Sequence, residues 1–205
     1  MSMRVIKQPD LLSWSERYSP EVLGSIGEQV EALLGRHSNL ELYKRSIEWQ
    51  LGLMAAQMHE EDVLLHPRVV FLLVEMRGSG GLGAPLKQIA SILGEVGYWK
   101  PPARVQNYRR QDVYYLGKSA QRLFDDYAVL DRRVKQLQSQ LGRIREQQQM
   151  GPETTPRDVL VGLGMACVGA NVQTAIDRVV GLLGQTGVHG WFSRWLMVRR
   201  GNKQI

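Results

Sequence analysis

Residues 113–144 read VYYLGKSAQRLFDDYAVLDRRVKQLQSQLGRI, and the fold turns on them. Val113, Leu116, Ala120, Leu123, Tyr127, Leu130, Val134, Leu137, Leu141 and Ile144 are spaced by three and four residues in strict alternation. That spacing gathers them on one stripe of an α-helix, with leucine at four of five d positions of a heptad. Pro101 and Pro102 set the expected start and Gly151-Pro152 the end. The expectation is one helix over about 102–148, long for a globular protein. A parallel homodimer zipper is disfavoured. It would oppose Asp126 at g to Asp131 at e twice per dimer, and Gly117 and Ser119 offer no compensating pair. The long helix is therefore expected to pack in a bundle with its own chain, or against a different protein.

The flanking sequence is also helical in pattern. Ser19 and Pro20 open a segment with Val22, Ile26, Val30, Leu33 and Leu34 on one face, and Gly35 is its expected stop. Ser38 and Glu41 form a capping box before a second helix whose stripe is Leu40, Tyr43, Ile47, Leu51, Met54 and Met58. The apolar run VVFLLVEM at 69–76 shows no period. It is read as helix because no second strand candidate stands nearby to pair with it. Leu86, Ile89, Ala90 and Leu93 give the next segment a buried face, and Pro101-Pro102 then opens the long helix. Over about 69–111 this succession loosely has the form of a helix-turn-helix unit, with a longer turn than usual. Thr155 as N-cap, Pro156 and Asp158 begin a helix in which Gly162, Ala166 and Ala170 recur every four residues. Residues 159–176 are mostly apolar, but Asn171, Gln173 and Thr174 interrupt them, so a buried helix is expected rather than a membrane span. The fold class is predominantly α. The organisation reads as an N-terminal helical domain at 1–112, the heptad helix at 113–149, and a small-residue-rich helix with a basic aromatic tail at 150–205.

Gly78-Ser-Gly80-Gly-Leu-Gly83 has the spacing of a dinucleotide-binding turn. A phosphate loop would need Lys-Ser/Thr where Ala84-Pro85 stand, and a dinucleotide site would need a following strand where GEVGYWKPPARV stands. The run is read as a connector between helices, and no nucleotide cofactor is expected. His59, Asp62 and His66 lack metal-protease spacing, so no metal is expected. Cys167, the single cysteine, sits in an apolar segment and reads as packing rather than nucleophile. With no catalytic constellation, a non-enzymatic protein is expected.

The net charge is +6, and it is unevenly placed: residues 1–60 sum to −2, 101–150 to +5 and 151–205 to +3. A basic C-terminal half points to an acidic partner. The segment GYWKPPARVQNYRRQ holds Tyr98, Trp99, Lys100, Arg104, Asn107, Tyr108, Arg110 and Gln111, with Lys118 further on. Cations bind phosphates, aromatic faces stack on bases, and Arg, Asn and Gln read base edges. Arg194, Arg199, Arg200 and Lys203 form a second basic set in the tail, beside Trp191 and Trp195. The leading expectation is a nucleic-acid-binding accessory protein, DNA or RNA, within a larger assembly. The competing one is a structural or adaptor subunit using helix 113–144 or the tail 189–205 to bind a protein or, less favoured, a membrane surface. Met1–Arg17 shows no apolar signal-peptide run, and with the lone cysteine the expected location is cytoplasmic.

Overall fold

The computed structural model describes residues 18–60, 66–100, 108–163 and 170–184. Six helices and no strand occur among them: α1 (Pro20–Gln57), α2 (Pro67–Arg77), α3 (Gly83–Glu95), α4 (Arg110–Gln147), α5 (Pro156–Leu163) and α6 (Ala170–Leu183). The predominantly α reading is correct. The chain divides into two compact units, one formed by residues 36–132 and the other by the segments before and after them. The division falls inside α1 and inside α4, so each long helix contributes to both units.

Two helix boundaries differ from the sequence reading. The expected stop at Gly35 and capping box at Ser38 are absent: α1 runs unbroken for 38 residues. Gly35 is exposed, and a glycine in a helix costs only about 1 kcal/mol relative to alanine. Against that stand Val30, Leu33, Leu40, Ile47 and Leu51, all buried. Their burial on both sides of the glycine, worth about 1.5–3 kcal/mol per side chain, carries the helix through it. At the other boundary, α4 begins at Arg110 rather than near Pro102, since Tyr108 and Arg109 are not helical. Asp112 sets that start. Its carboxylate accepts from the Arg109 backbone N–H at 2.9 Å, while the Val113 N–H donates to the Arg109 carbonyl at 3.1 Å. Residues 101–107, where the third helix of the expected helix-turn-helix was to start, lie outside the described residues.

Both long helices end alike. The Glu60 N–H reaches back to the Ala55 carbonyl and the Met150 N–H to that of Arg145, each at 3.0 Å. The intervening His59 and Gln149 take left-handed backbone at φ 57° and 56°. This is the Schellman ending, here built without glycine.

In the 36–132 unit, α1, α2, α3 and α4 close on one core. Ile47, Leu51 and Met54 meet Val70, Phe71 and Val74, Leu86, Ile89 and Leu93, and the α4 residues Val113, Leu116, Ala120 and Leu123. The apolar run at 69–76 is thus the body of helix α2. Gly117 permits the close approach of α4 to α2: a Cβ there would lie 2.8 Å from Cβ and Cγ of Phe71. The α1 and α4 segments of this unit run antiparallel. His37 Nε2 lies 3.1 Å from Asp131 and its ring stacks on Tyr127, while Lys44, further along α1, sits over Phe124 and Tyr127, earlier in α4.

In the other unit, Leu23, Ile26 and Val30 of α1, Leu137 and Ile144 of α4, Leu160 of α5 and Ile176 of α6 are buried. The α5 start follows the sequence reading. The Asp158 N–H donates to Thr155 Oγ1 at 3.2 Å, and the Thr155 hydroxyl donates to the Asp158 carboxylate at 2.8 Å. That turn rests on Gly27, where a Cβ would come within 2.5 Å of the Arg157 Cα. Tyr18 donates its phenolic hydrogen to Asp177 at 2.6 Å. Ala166, Cys167 and the tail 189–205 lie outside the described residues, as does the middle of the apolar stretch 159–176. No helix among the described residues is long and apolar enough to cross a membrane.

The seam of α4 is occupied within the fold. Leu116, Leu123 and Leu137 are fully buried and Leu130 is 8% exposed, so the heptad stripe faces the chain's own helices.

Candidate functional site

The glycine run joins α2 to α3, so a helix stands where a dinucleotide site needs a strand. Gly78 and Gly81 take positive φ, 89° and 78°, which only glycine adopts without strain and which the tight connection requires. Ser79 Oγ donates to the Tyr108 carbonyl at 3.5 Å, linking this turn to the approach to α4. No cluster of three potential metal ligands occurs among the described residues, and residues 61–65, between His59 and His66, lie outside them.

The described members of the basic-aromatic cluster differ in burial. Tyr98, Trp99 and Tyr108 pack against the core of the 36–132 unit. Trp99 turns its Nε1 inward, where the atom is buried. The Tyr98 hydroxyl donates to Asp126 at 2.7 Å, and the Arg122 guanidinium lies 5.8 Å from the centre of its ring. Burial, and then the Asp126 carboxylate, push the Tyr98 phenol up to about 12; the cations Arg36 and Arg122 pull the other way. Burial, seconded by Asp112, raises the Tyr108 phenol too. These three rings pack on the core while remaining partly exposed. Lys100, Arg110, Gln111 and Lys118 are exposed. Arg104 and Asn107, and Arg194, Arg199, Arg200 and Lys203 with their tail, lie outside the described residues.

One surface includes three of the cluster's exposed residues, Lys118 and, at one end, Arg110 and Gln111. A groove of about 750 Å³ runs between α2 and α4, with Phe71, Leu72 and Gly117 on its floor and Gln121 beside them. Gln121 is 7% exposed and donates from Nε2 to Asp125 at 2.8 Å. Arg68, Lys118 and Arg122 supply positive charge to the rim, while Glu75, Asp125 and Asp126 supply negative. At one end the groove continues past Tyr114 to Met76, Arg110 and Gln111. Leu72 is 55% exposed and Met76 71%, unusual exposure for side chains of this size so close together. The Lys118 ammonium stands 4.9 Å from the Tyr114 ring centre, and the Tyr114 hydroxyl holds it above its usual range.

The apolar period of α4 marks its buried stripe and leaves most groove residues unmarked in the sequence. One signal for them is present. Arg110, Tyr114, Lys118 and Arg122 recur every four residues, which places them in one row on the outer face. For α2 the signal is fainter: in an otherwise apolar run, Arg68 and Glu75 stand one turn either side of Leu72 and mark the side left open.

No protein-family model matches the chain, and no curated protein or solved structure shows significant similarity to it.

Proposed function

We propose that this chain is a non-enzymatic interaction protein, an adaptor or structural subunit of a larger assembly, and that the α2/α4 groove receives an amphipathic helix of a protein partner. The rim carries the reading. Three cations and three carboxylates stand around an apolar floor. An amphipathic helix matches such a site by burying its apolar stripe and pairing both signs of charge along its edges. A polyanion would bring its phosphates against Glu75, Asp125 and Asp126. Leu72 and Met76, already half or more exposed, are the apolar anchors.

The test is a photo-crosslinking side chain at Met76 in the full chain within its native cells. A protein adduct that survives nuclease and is abolished by Leu72→Asp supports the reading. An adduct destroyed by nuclease, or none at all, counts against it.

The nucleic-acid reading is supported by a separate observation. Among the described residues, no ion pair engages Lys100, Arg110 or Lys118, so their charge is open to phosphate. It predicts salt-dependent binding to duplex or single-stranded nucleic acid, with the salt slope reduced by about 1 for each of these residues changed to alanine.

A further inference from the structure

Helix α1 carries a second heptad stripe on its outer side. Asn39, Leu42, Ser46, Trp49, Leu53 and Ala56 follow one another at intervals of three and four residues, and all six are exposed. Trp49 is 69% exposed, Leu42 62% and Leu53 39%. At 100° per residue this row lies opposite the buried row of Ile47, Leu51 and Met54, so α1 is apolar on two faces and only one is covered. The outer row contains no charge over roughly 26 Å of helix. Ser46 even turns its hydroxyl back onto its own helix, donating to the Leu42 carbonyl at 2.9 Å.

We infer that this face is a self-association surface, occupied by α1 of a second copy of the chain running antiparallel. The order of side chains supports this occupant. Around a two-fold point between Ile47 and Glu48 the row maps onto itself: Asn39 falls opposite Ala56, Leu42 opposite Leu53, and Ser46 opposite Trp49. Large meets small at the central pairing, so the indole of one copy lies over the serine of the other and the helices can approach closely there. The same patch serves both partners, as an isologous two-fold interface requires. Charge agrees with the geometry. Arg45, the nearest cation, is paired within its own helix to Glu41 and its flank would meet Gly52 of the other copy, so it brings no unpaired charge to the contact. This contact differs from a zipper through 113–144, whose stripe is buried in the fold. Six residues a side is small beside the roughly 20–30 of a standard interface, so a weak, reversible dimer is expected.

Analytical ultracentrifugation of the full chain over about 5–500 μM tests the inference. The wild type is expected to show a reversible monomer–dimer equilibrium. Trp49→Glu and Leu42→Glu should each weaken it at least tenfold with an unchanged melting curve, because both side chains project from the fold. Ser46→Glu alone and Ser46→Lys alone should be monomeric, and an equal mixture should dimerise again, since antiparallel pairing sets the two Ser46 positions roughly 5 Å apart along the axis. Leu72→Asp in the α2/α4 groove should leave the equilibrium untouched, which separates this surface from that one. A wild type that stays monomeric throughout would overturn the inference. So would dimer affinity unchanged in both Trp49→Glu and Leu42→Glu, or a mixture of the two Ser46 variants that fails to restore the dimer.

Discussion

His37 of α1 lies against Tyr127 of α4 with ring centres 5.2 Å apart and planes 24° from parallel. The contact stands inside the heptad row of each helix. On α4 the row is Leu123, Tyr127, Leu130; on α1 it is Leu33, His37, Leu40, Lys44, Ile47. Tyr127 thus bridges the two polar positions of the α1 row, stacking on His37 and placing its ring centre 5.5 Å from the Lys44 ammonium.

Tyr127→Ala should therefore destabilise the chain although the ring is only partly buried. The expected loss is about 2–3 kcal/mol, at or below the lower end of the range for deleting a buried aromatic. Leu137→Ala, at a fully buried position of the same row, should cost about 2–5 kcal/mol. Urea unfolding monitored by circular dichroism measures both. A change below about 0.5 kcal/mol for Leu137→Ala would mean that the α4 stripe is not packed.

Three glycines in long helices should respond in opposite directions to the same substitution. Gly27→Ala drives a methyl into the Arg157 backbone and Gly117→Ala drives one into Phe71, so both should destabilise by about 1–3 kcal/mol. Gly35→Ala meets nothing within 4 Å and should stabilise by about 0.5–1 kcal/mol. Thermal melts of the three variants test the continuity of α1. If α1 broke at residue 35, the Gly35 substitution would not stabilise.

Tyr98 makes stability depend on alkaline pH. Its phenol is pushed up to about 12 in the fold, from an ordinary value near 10. A raised folded value means that the native state holds the proton more tightly than the unfolded chain does. The contribution is therefore complete below about pH 10 and is lost as pH rises toward about 12. Asp126→Asn keeps the shape but removes the carboxylate charge, and should bring the Tyr98 tyrosinate absorbance step to lower pH. An ultraviolet titration in which wild type and Asp126→Asn coincide would contradict the contact.

The two Schellman endings predict gains. His59→Gly and Gln149→Gly each relieve left-handed backbone at a non-glycine residue. Each should raise stability by about 0.5 kcal/mol, the relief partly offset by the greater freedom of glycine in the unfolded chain. Melting temperatures that fall in both variants would show that the side chains themselves hold the turns.

The sequence by itself determined the elements whose signal is local. The alternating three-and-four spacing from Val113 to Ile144 is a property of one helix, and every position in it except Tyr127 is buried. The Thr155–Asp158 cap is likewise local, because its donors and acceptors are three residues apart. The glycine turn after Arg77 is local in the same sense. Tertiary structure decided the rest. The row of α1 runs straight through Gly35, but His37 and Lys44 interrupt its apolar pattern. Those two positions are acceptable there only because Tyr127 and Asp131, far along the chain, supply a ring and a carboxylate. Tyr98, Trp99 and Tyr108 have the composition of a nucleic-acid patch. Where an aromatic side chain points depends on whether an apolar core lies within reach, and here one does. The groove is the least local feature. Its floor is created by Gly117, which brings α4 against Phe71, and its rim joins charges from α2 and α4 that no spacing along the chain relates.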